Sequence, residues 1–331
     1  MEKRQETEMK KKWMVPLGIL FLAVLLFFKA DELAEGVAWV KQRTLTPLLA
    51  GLYAKRNDVD LTGYAPLEER DSWTKENRLV MHAGGGVDGQ TYLNCMEGLE
   101  HCLENGCYAV ELDFAWTDYG KIVISHRLNQ VPYGDDLSRV QSDPAAYDEF
   151  YEGKVCFKYT PIRPEALLSY MKEHPELRII TDCKGNLEEI LTGLLEMARA
   201  QDCEEVMGQF VIQIYEEADY DTAGSVYPFQ DWIFTLYNYP YDRLSWSKIT
   251  AFCLDHDIEV VTMSEDYAKE ADLELLSEMG IKVYVHTINS LYETQKLFQK
   301  GVYGIYTDYL VRDDLRYIEG VGDTDAGREN S

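Results

Sequence analysis

From Arg78 to Thr307, short apolar runs alternate with longer stretches whose apolar residues recur at helical spacing. Strands followed by amphipathic helices are the signature of a parallel α/β sheet. The runs predict strands at Leu79–His82, Tyr108–Phe114, Ile122–His126, Arg178–Cys183, Phe210–Tyr215, Trp232–Tyr237, Ile258–Met263, Lys282–Thr287 and Tyr303–Thr307. Nine strands are one too many for an eightfold barrel, and a loop length identifies the odd one. Only seven residues separate Phe114 from Ile122, whereas a parallel crossover needs about a dozen. These two segments are therefore expected to pair antiparallel, turning at Thr117-Asp118-Tyr119-Gly120. The remaining eight predict a TIM (β/α)8 barrel over residues 76–315, with a β-hairpin extension after its second strand.

Outside the barrel the pattern changes. Residues 1–12 are a basic flank carrying Lys3, Arg4, Lys10, Lys11 and Lys12, and an uncharged run from Trp13 to Phe28 follows, closed by Lys29. Sixteen residues is short against the roughly 20 of a spanning helix, but Trp13 and Lys29 can reach the interfaces. The rival is a cleaved signal peptide, for which Lys29-Ala30-Asp31 is a poor cleavage site. Residues 13–29 are thus expected to form an uncleaved transmembrane helix, preceded by a cytoplasmic flank. The catalytic domain would then lie on the extracytoplasmic side of the cell membrane, held by a single pass. Residues 30–75 read as a juxtamembrane helix and linker. Residues 127–163 form a long Asp-, Tyr-, Gly- and Pro-containing stretch of the kind that is functional or carries a small insertion. Residues 316–331 lack apolar periodicity and are expected to be a disordered tail.

Composition narrows the possible partners. With 331 residues and 46% apolar positions the chain can bury a full core without staples. A net charge of -26 argues against nucleic acid, whose phosphates it would repel. The seven cysteines contain no CxxC pair; one disulfide or a set of small buried side chains are the two readings.

Candidate chemistry lies at the carboxyl ends of the strands, where barrel active sites are built. Glu111 and Asp113 alternate with Val110 and Leu112, so both carboxylates share a face. If the hairpin turns between Asp118 and Tyr119, His126 falls opposite Glu111, give or take one residue. His82 ends the first strand before Ala83-Gly84-Gly85-Gly86, where glycines permit close approach to a ligand. Asp182 and Lys184 share a face at the end of Arg178–Cys183. Oxygen ligands without thiolates suit one hard divalent cation, Mg²⁺ or Ca²⁺. Two histidines can divide general acid and base work, with Lys184 and the cation facing charge on a phosphoryl group. Taken singly, each residue has a plainer reading: a lone histidine is usually a satisfied core or surface residue, and an Asp beside a Lys an ordinary ion pair. Their joint placement is what singles them out.

These residues resemble the glycerophosphodiester phosphodiesterase family over roughly residues 78–312. The matching motifs are His82-Ala83-Gly84, Glu111-Leu112-Asp113, Thr117-Asp118-Tyr119-Gly120, His126 and Asp182-Cys183-Lys184. Thr287-Ile288-Asn289 and Gly301-Val302-Tyr303-Gly304-Ile305-Tyr306-Thr307-Asp308 follow in order. The resemblance implies a TIM barrel that hydrolyses a glycerophosphodiester, or a related lipid-derived diester, to an alcohol and glycerol phosphate. It implies that His82 and His126 are the catalytic pair, that Glu111, Asp113 and Asp182 hold the metal, and that Lys184 contacts the phosphate. In the implied reaction a glycerol hydroxyl attacks phosphorus and a cyclic phosphate is then hydrolysed.

Four positions depart from the family pattern. Ala83 replaces an Arg, Arg127 an Asp, and Asp182 a Glu one methylene longer. Arg127 could restore phosphate binding or simply face outward, because neighbours on a strand point oppositely. His286 stands where the family has Trp; it either bonds substrate or caps the pocket wall. Two other functions fit the barrel: a metal-independent phosphatidylinositol-type phospholipase C, and a non-catalytic membrane-anchored binding module.

Overall fold

The structure, a computed structural model, describes residues 59–126, 138–237, 239 and 245–318. Strands β1 (Leu79–Met81), β2 (Ala109–Trp116), β3 (Ile122–Ile124), β4 (Arg178–Lys184) and β5 (Phe210–Ile214) are followed by β6 (Asp231–Thr235), β7 (Val260–Ser264), β8 (Lys282–His286) and β9 (Gly304–Thr307). The sheet runs β1-β9-β8-β7-β6-β5-β4-β2-β3, and a β1–β2 pairing closes it. Eight strands therefore form a parallel barrel, and β3 hangs antiparallel from the edge of β2, as the loop length requires.

The hairpin register differs slightly from the expected pairing. Phe114 faces Ile124 and Trp116 faces Ile122, one residue off the pairing that set His126 against Glu111 and within its margin. The ladder ends at Ile124, and Ser125 N–H donates to Asp113 O at 2.9 Å. His126 thus arrives just past the ladder, beside Asp113 rather than across from Glu111.

The helices are α1 (Met96–Glu104), α2 (Ser138–Ser142), α3 (Pro144–Glu152), α4 (Pro164–Glu173), α5 (Leu187–Ala200), α6 (Glu217–Val226), α7 (Trp246–Asp255), α8 (Glu270–Glu278), α9 (Leu291–Gln299) and α10 (Arg312–Ile318). In α5, Ile190, Leu191, Leu194, Leu195 and Ala198 are buried, a stripe at helical spacing that packs on the outer face of the sheet. Ser245 and Ser290 start α7 and α9 by accepting backbone N–H bonds from Lys248 and Glu293; each such cap contributes about 1 kcal/mol. Helices α2 and α3 are the insertion expected within 127–163. The cysteines Cys95, Cys102, Cys107, Cys203 and Cys253 are buried as small apolar side chains.

Inside the barrel, Val80, Ala109, Ile180, Val211, Ile233, Val260, Tyr284 and Tyr306 form one apolar layer. Trp73 seals it from below, 5% exposed and 5.6 Å from the Tyr284 ring. The segment leading to it is tied to the barrel as well: Leu67 N–H bonds Met279 O at 3.0 Å, and Lys282 Nζ donates to Thr74 Oγ1 at 2.6 Å. A single buried tryptophan in an otherwise aperiodic stretch leaves no pattern, so the sequence reads this stretch as linker. At the other end, α10 runs to Ile318, a little into the stretch read as tail.

Strand alternation carries the inner face upward. Two residues beyond the apolar layer come His82, Glu111, Asp182, Gln213, Thr235, His286 and Asp308; two further along come Asp113, already past Glu111, and Lys184. Polar residues thus collect at the carboxyl mouth while apolar ones fill the middle. The expected transmembrane helix at 13–29, its basic flank and most of the tail lie outside the described residues. Among the described residues no helix is long and apolar enough to cross a membrane.

Candidate active site

His82 leaves β1 in a tight turn made of Ala83 (φ 48°), Gly84 (φ 83°) and Gly85 (φ 78°). The turn is shaped by what it touches. Ala83 N–H donates to Glu111 Oε2 at 2.6 Å, and Gly86 N–H donates to Asp308 O at 2.6 Å. A Cβ at Gly86 would collide with the Tyr309 ring, so the close approach there requires glycine. His82 Nδ1 lies 2.9 Å from Asp308 Oδ1, and Asn289 Nδ2 holds the other oxygen of Asp308 at 2.7 Å. Asn289 Oδ1 in turn accepts from Asp308 N–H at 2.8 Å and Thr307 Oγ1 at 3.0 Å. With Nδ1 engaged by a carboxylate, its proton is assigned there and Nε2 is left for chemistry. Burial alone would lower the His82 pKa, but the Asp308 hydrogen bond and the charges of Glu111, Asp308 and Asp113 raise it to about 9.

The carboxylates come from neighbouring strands whose register sets Asp113 beside Asp182. Oxygens of Glu111, Asp113 and Asp182 all lie within 4.8 Å of one another. Lys184 Nζ sits 2.8 Å from Asp113 Oδ1 and 2.5 Å from Asp182 Oδ2. Asn94, from the loop after β1, clamps Asp113 twice: its Nδ2 donates to Oδ2 at 2.8 Å, and its Oδ1 accepts the Asp113 N–H at 3.0 Å. Tyr215 OH donates to Asp182 Oδ1 and accepts from Gln213 Nε2 at 3.2 Å, while Tyr306 OH donates to Gln213 Oε1 at 3.1 Å. This chain fixes the Asp182 carboxylate.

The charges do not balance. One ammonium stands against three carboxylates, and burial and the adjacent Asp113 push the Glu111 carboxyl up to about 8. Asp182 is also raised, by burial and by Asp113. Burial would raise Asp113 as well, but Lys184 and His126 outweigh it and hold Asp113 low. Lys184, despite burial, is held well above its ordinary value by Asp113, Asp182 and Glu111. Glu111 Oε1 is buried with no hydrogen-bond partner. Three carboxyls that resist ionising together, one with an orphaned buried oxygen, fit a hard divalent cation.

The mouth is a cavity of about 730 Å³, lined among others by His82, Glu111, His126, Asp182, Lys184 and His286. Six of the seven expected residues, with Asp113 behind the lining, therefore converge on one site. Arg127 lies outside the described residues. Tyr92 packs against both histidines, its ring centroid 4.7 Å from His82 and 4.6 Å from His126. His286 lines the same mouth from the end of β8; burial, and then the charge of His82, push its pKa down to about 4, so it is a neutral imidazole. Asn94, Tyr92, Tyr215 and the Asp308–Asn289 pair escape sequence reasoning as working residues. Asn289 and Asp308 both stand in motifs named above, but nothing in their order shows that they pair, and Tyr215 alternates onto the inner face with Gln213 without naming its partner.

No family model and no curated protein matches the chain. Solved structures do share its fold. A glycerophosphodiester phosphodiesterase from Parabacteroides distasonis aligns at 16% identity and TM-score 0.58, covering 75% of this chain and 99% of that one. A phosphodiesterase from Oleispira antarctica, in complex with the product sn-glycerol-3-phosphate, aligns at 16% identity and TM-score 0.58, covering 75% and 98%. A glycerophosphodiester phosphodiesterase from Thermotoga maritima aligns at 17% identity and TM-score 0.50, covering 70% and 94%. The barrel implied by the sequence motifs is the barrel found.

Proposed function

We propose that the chain is a glycerophosphodiester phosphodiesterase, a phosphoric diester hydrolase that releases an alcohol and glycerol phosphate. The observation that carries this reading is the convergence of His82, His126, Lys184 and three carboxylates at the mouth of a barrel shared with enzymes of that name. Product glycerol phosphate in one of those structures favours the same substrate class here.

Glu111, Asp113 and Asp182 would hold one Mg²⁺ or Ca²⁺, with Lys184 beside them against the phosphate. When bound, the cation would supply charge to the phosphoryl oxygens, lowering the barrier to attack. The residues do the rest. One imidazole takes the proton of a glycerol hydroxyl as its oxygen bonds to phosphorus. The other, protonated, donates to the departing alcohol as the phosphorus–oxygen bond breaks. That leaves a cyclic phosphodiester and the free alcohol; water opens the ring with the two imidazoles exchanging roles. Asp308 fixes His82 for both steps, and Lys184 draws the phosphate into place.

The binding of the chain to a membrane through residues 13–29, with the barrel extracytoplasmic, belongs to the same proposal and would place it near lipid-derived diesters. Arg127 is included as a second phosphate contact. The test is turnover of glycerophosphocholine by purified protein with Mg²⁺ or Ca²⁺. EDTA should abolish it; turnover that survives EDTA would favour the metal-independent phospholipase chemistry, and no turnover with either metal the non-catalytic module.

A further inference from the structure

Tyr92 is an unexpected residue to find where it is. Its φ of 58° lies in the left-handed region, which costs a non-glycine residue roughly 1 kcal/mol or more. Two residues on, Asn94 repeats the conformation at φ 45°. The strain is held in place by its surroundings: Leu93 and Asn94 are buried at 2% and 1% exposure, Asn94 N–H bonds Ala83 O at 2.9 Å, and the Asn94 side chain clamps Asp113. The loop is therefore locked to the turn behind His82 and to the strand bearing the carboxylates. From that anchor the Tyr92 ring reaches both imidazoles, edge-on to His82 at 80° and tilted 59° to His126.

We infer that Tyr92 is a positioning residue, an aromatic wedge that sets the separation and tilt of His82 and His126. This rests on the proposed acid–base pair and adds to it the part that spaces them. In an in-line displacement the entering and departing oxygens lie on opposite sides of phosphorus, so the two imidazoles must face each other across the group without collapsing together. His82 is tied from behind by Asp308. His126 sits just past β3, close enough to Asp113 to hold its carboxylate low, and the ring of Tyr92 packs against its imidazole as one wall of its place. The wedge acts through its ring rather than its hydroxyl.

Three variants of the full chain separate these roles. Tyr92→Phe keeps the ring and should keep kcat within about twofold. Tyr92→Gly suits the left-handed backbone, so the melting temperature should hold or rise. Its kcat on glycerophosphocholine should nevertheless fall by about 30-fold or more with KM little changed, the pattern of lost positioning. Tyr92→Leu should fall between them. The second readout needs no turnover: with ¹³C-labelled histidine, the His82 and His126 imidazole signals, assigned with His82→Asn and His126→Asn, should be single and sharp in wild type and Tyr92→Phe and broadened by exchange in Tyr92→Gly. Unchanged line widths in Tyr92→Gly, or Tyr92→Phe behaving like Tyr92→Gly, would overturn the inference. Absence of wild-type turnover would sink the phosphodiesterase reading instead, with the spectra still deciding the wedge.

Discussion

His82 Nδ1 and Asp308 Oδ1 are 2.9 Å apart although 226 positions separate the two residues in the chain. Strands β1 and β9 are neighbours in the closed barrel, with Met81 paired to Thr307, so the residues just past each strand end meet at the mouth. Asp308→Asn should leave the fold intact, because the amide can still bond Asn289 and the turn. It should lower kcat roughly 10²-fold by releasing the tautomer and tilt of His82. Steady-state kinetics check this, and a wild-type rate would remove Asp308 from the account.

The same pair makes stability depend on pH. In the folded metal-free chain the His82 pKa is raised from 6.5 to about 9. A raised histidine binds its proton more tightly folded than unfolded, so its contribution is fully present below pH 6.5 and is lost as pH climbs through about 9. Denaturant midpoints of chelated protein should therefore decline across that window, and the decline should flatten in Asp308→Asn.

Burial and mutual repulsion disfavour ionising Glu111 and Asp182 together with Asp113, a cost that the proposed cation would offset. Glu111→Gln keeps the acceptor for Ala83 N–H but removes a buried carboxyl whose ionisation Asp113 and burial oppose. In EDTA this variant should be more stable than wild type by about 1–2 kcal/mol. Adding Mg²⁺ or Ca²⁺ should raise the melting temperature of wild type and leave Glu111→Gln nearly unmoved. Calorimetry with and without cation measures both, and an equal rise in the two proteins would contradict the assignment of Glu111 as a ligand.

Trp73→Ala should destabilise the barrel by about 3–5 kcal/mol, the usual cost of emptying a large buried aromatic site. The ring plugs the barrel bottom against Tyr284, far from the histidines at the opposite mouth. At permissive temperature kcat should therefore stay close to wild type. Urea melts and a rate at 20 °C or so would separate the two effects.

The barrel was legible because a parallel strand buried on both faces is a short apolar run, and because a seven-residue gap cannot hold a crossover. Alternation alone put Glu111 with Asp113 and Asp182 with Lys184. What the pattern could not show are partners brought in from afar by loops. Asn94 clamps Asp113 from an irregular stretch, and Tyr215 reaches Asp182 from the next strand. Asn94 has no period, spacing or motif to mark it, and the alternation that turns Tyr215 inward with Gln213 does not say which group it will meet. His126 was placed to within one residue, since hairpin register depends on turn geometry that the residues Thr117-Asp118-Tyr119-Gly120 specify only approximately.

The central claim is that two histidines at a carboxylate-held cation cleave a glycerophosphodiester. The most direct measurement is release of glycerol phosphate from glycerophosphocholine by wild-type, His82→Ala and His126→Ala protein, each with Mg²⁺ or Ca²⁺ and again in EDTA. Metal-dependent turnover by wild type, with each histidine variant reduced by about 10²-fold or more, is the expected result. Equal rates in wild type and His82→Ala, or no turnover by wild type with either cation, would contradict it.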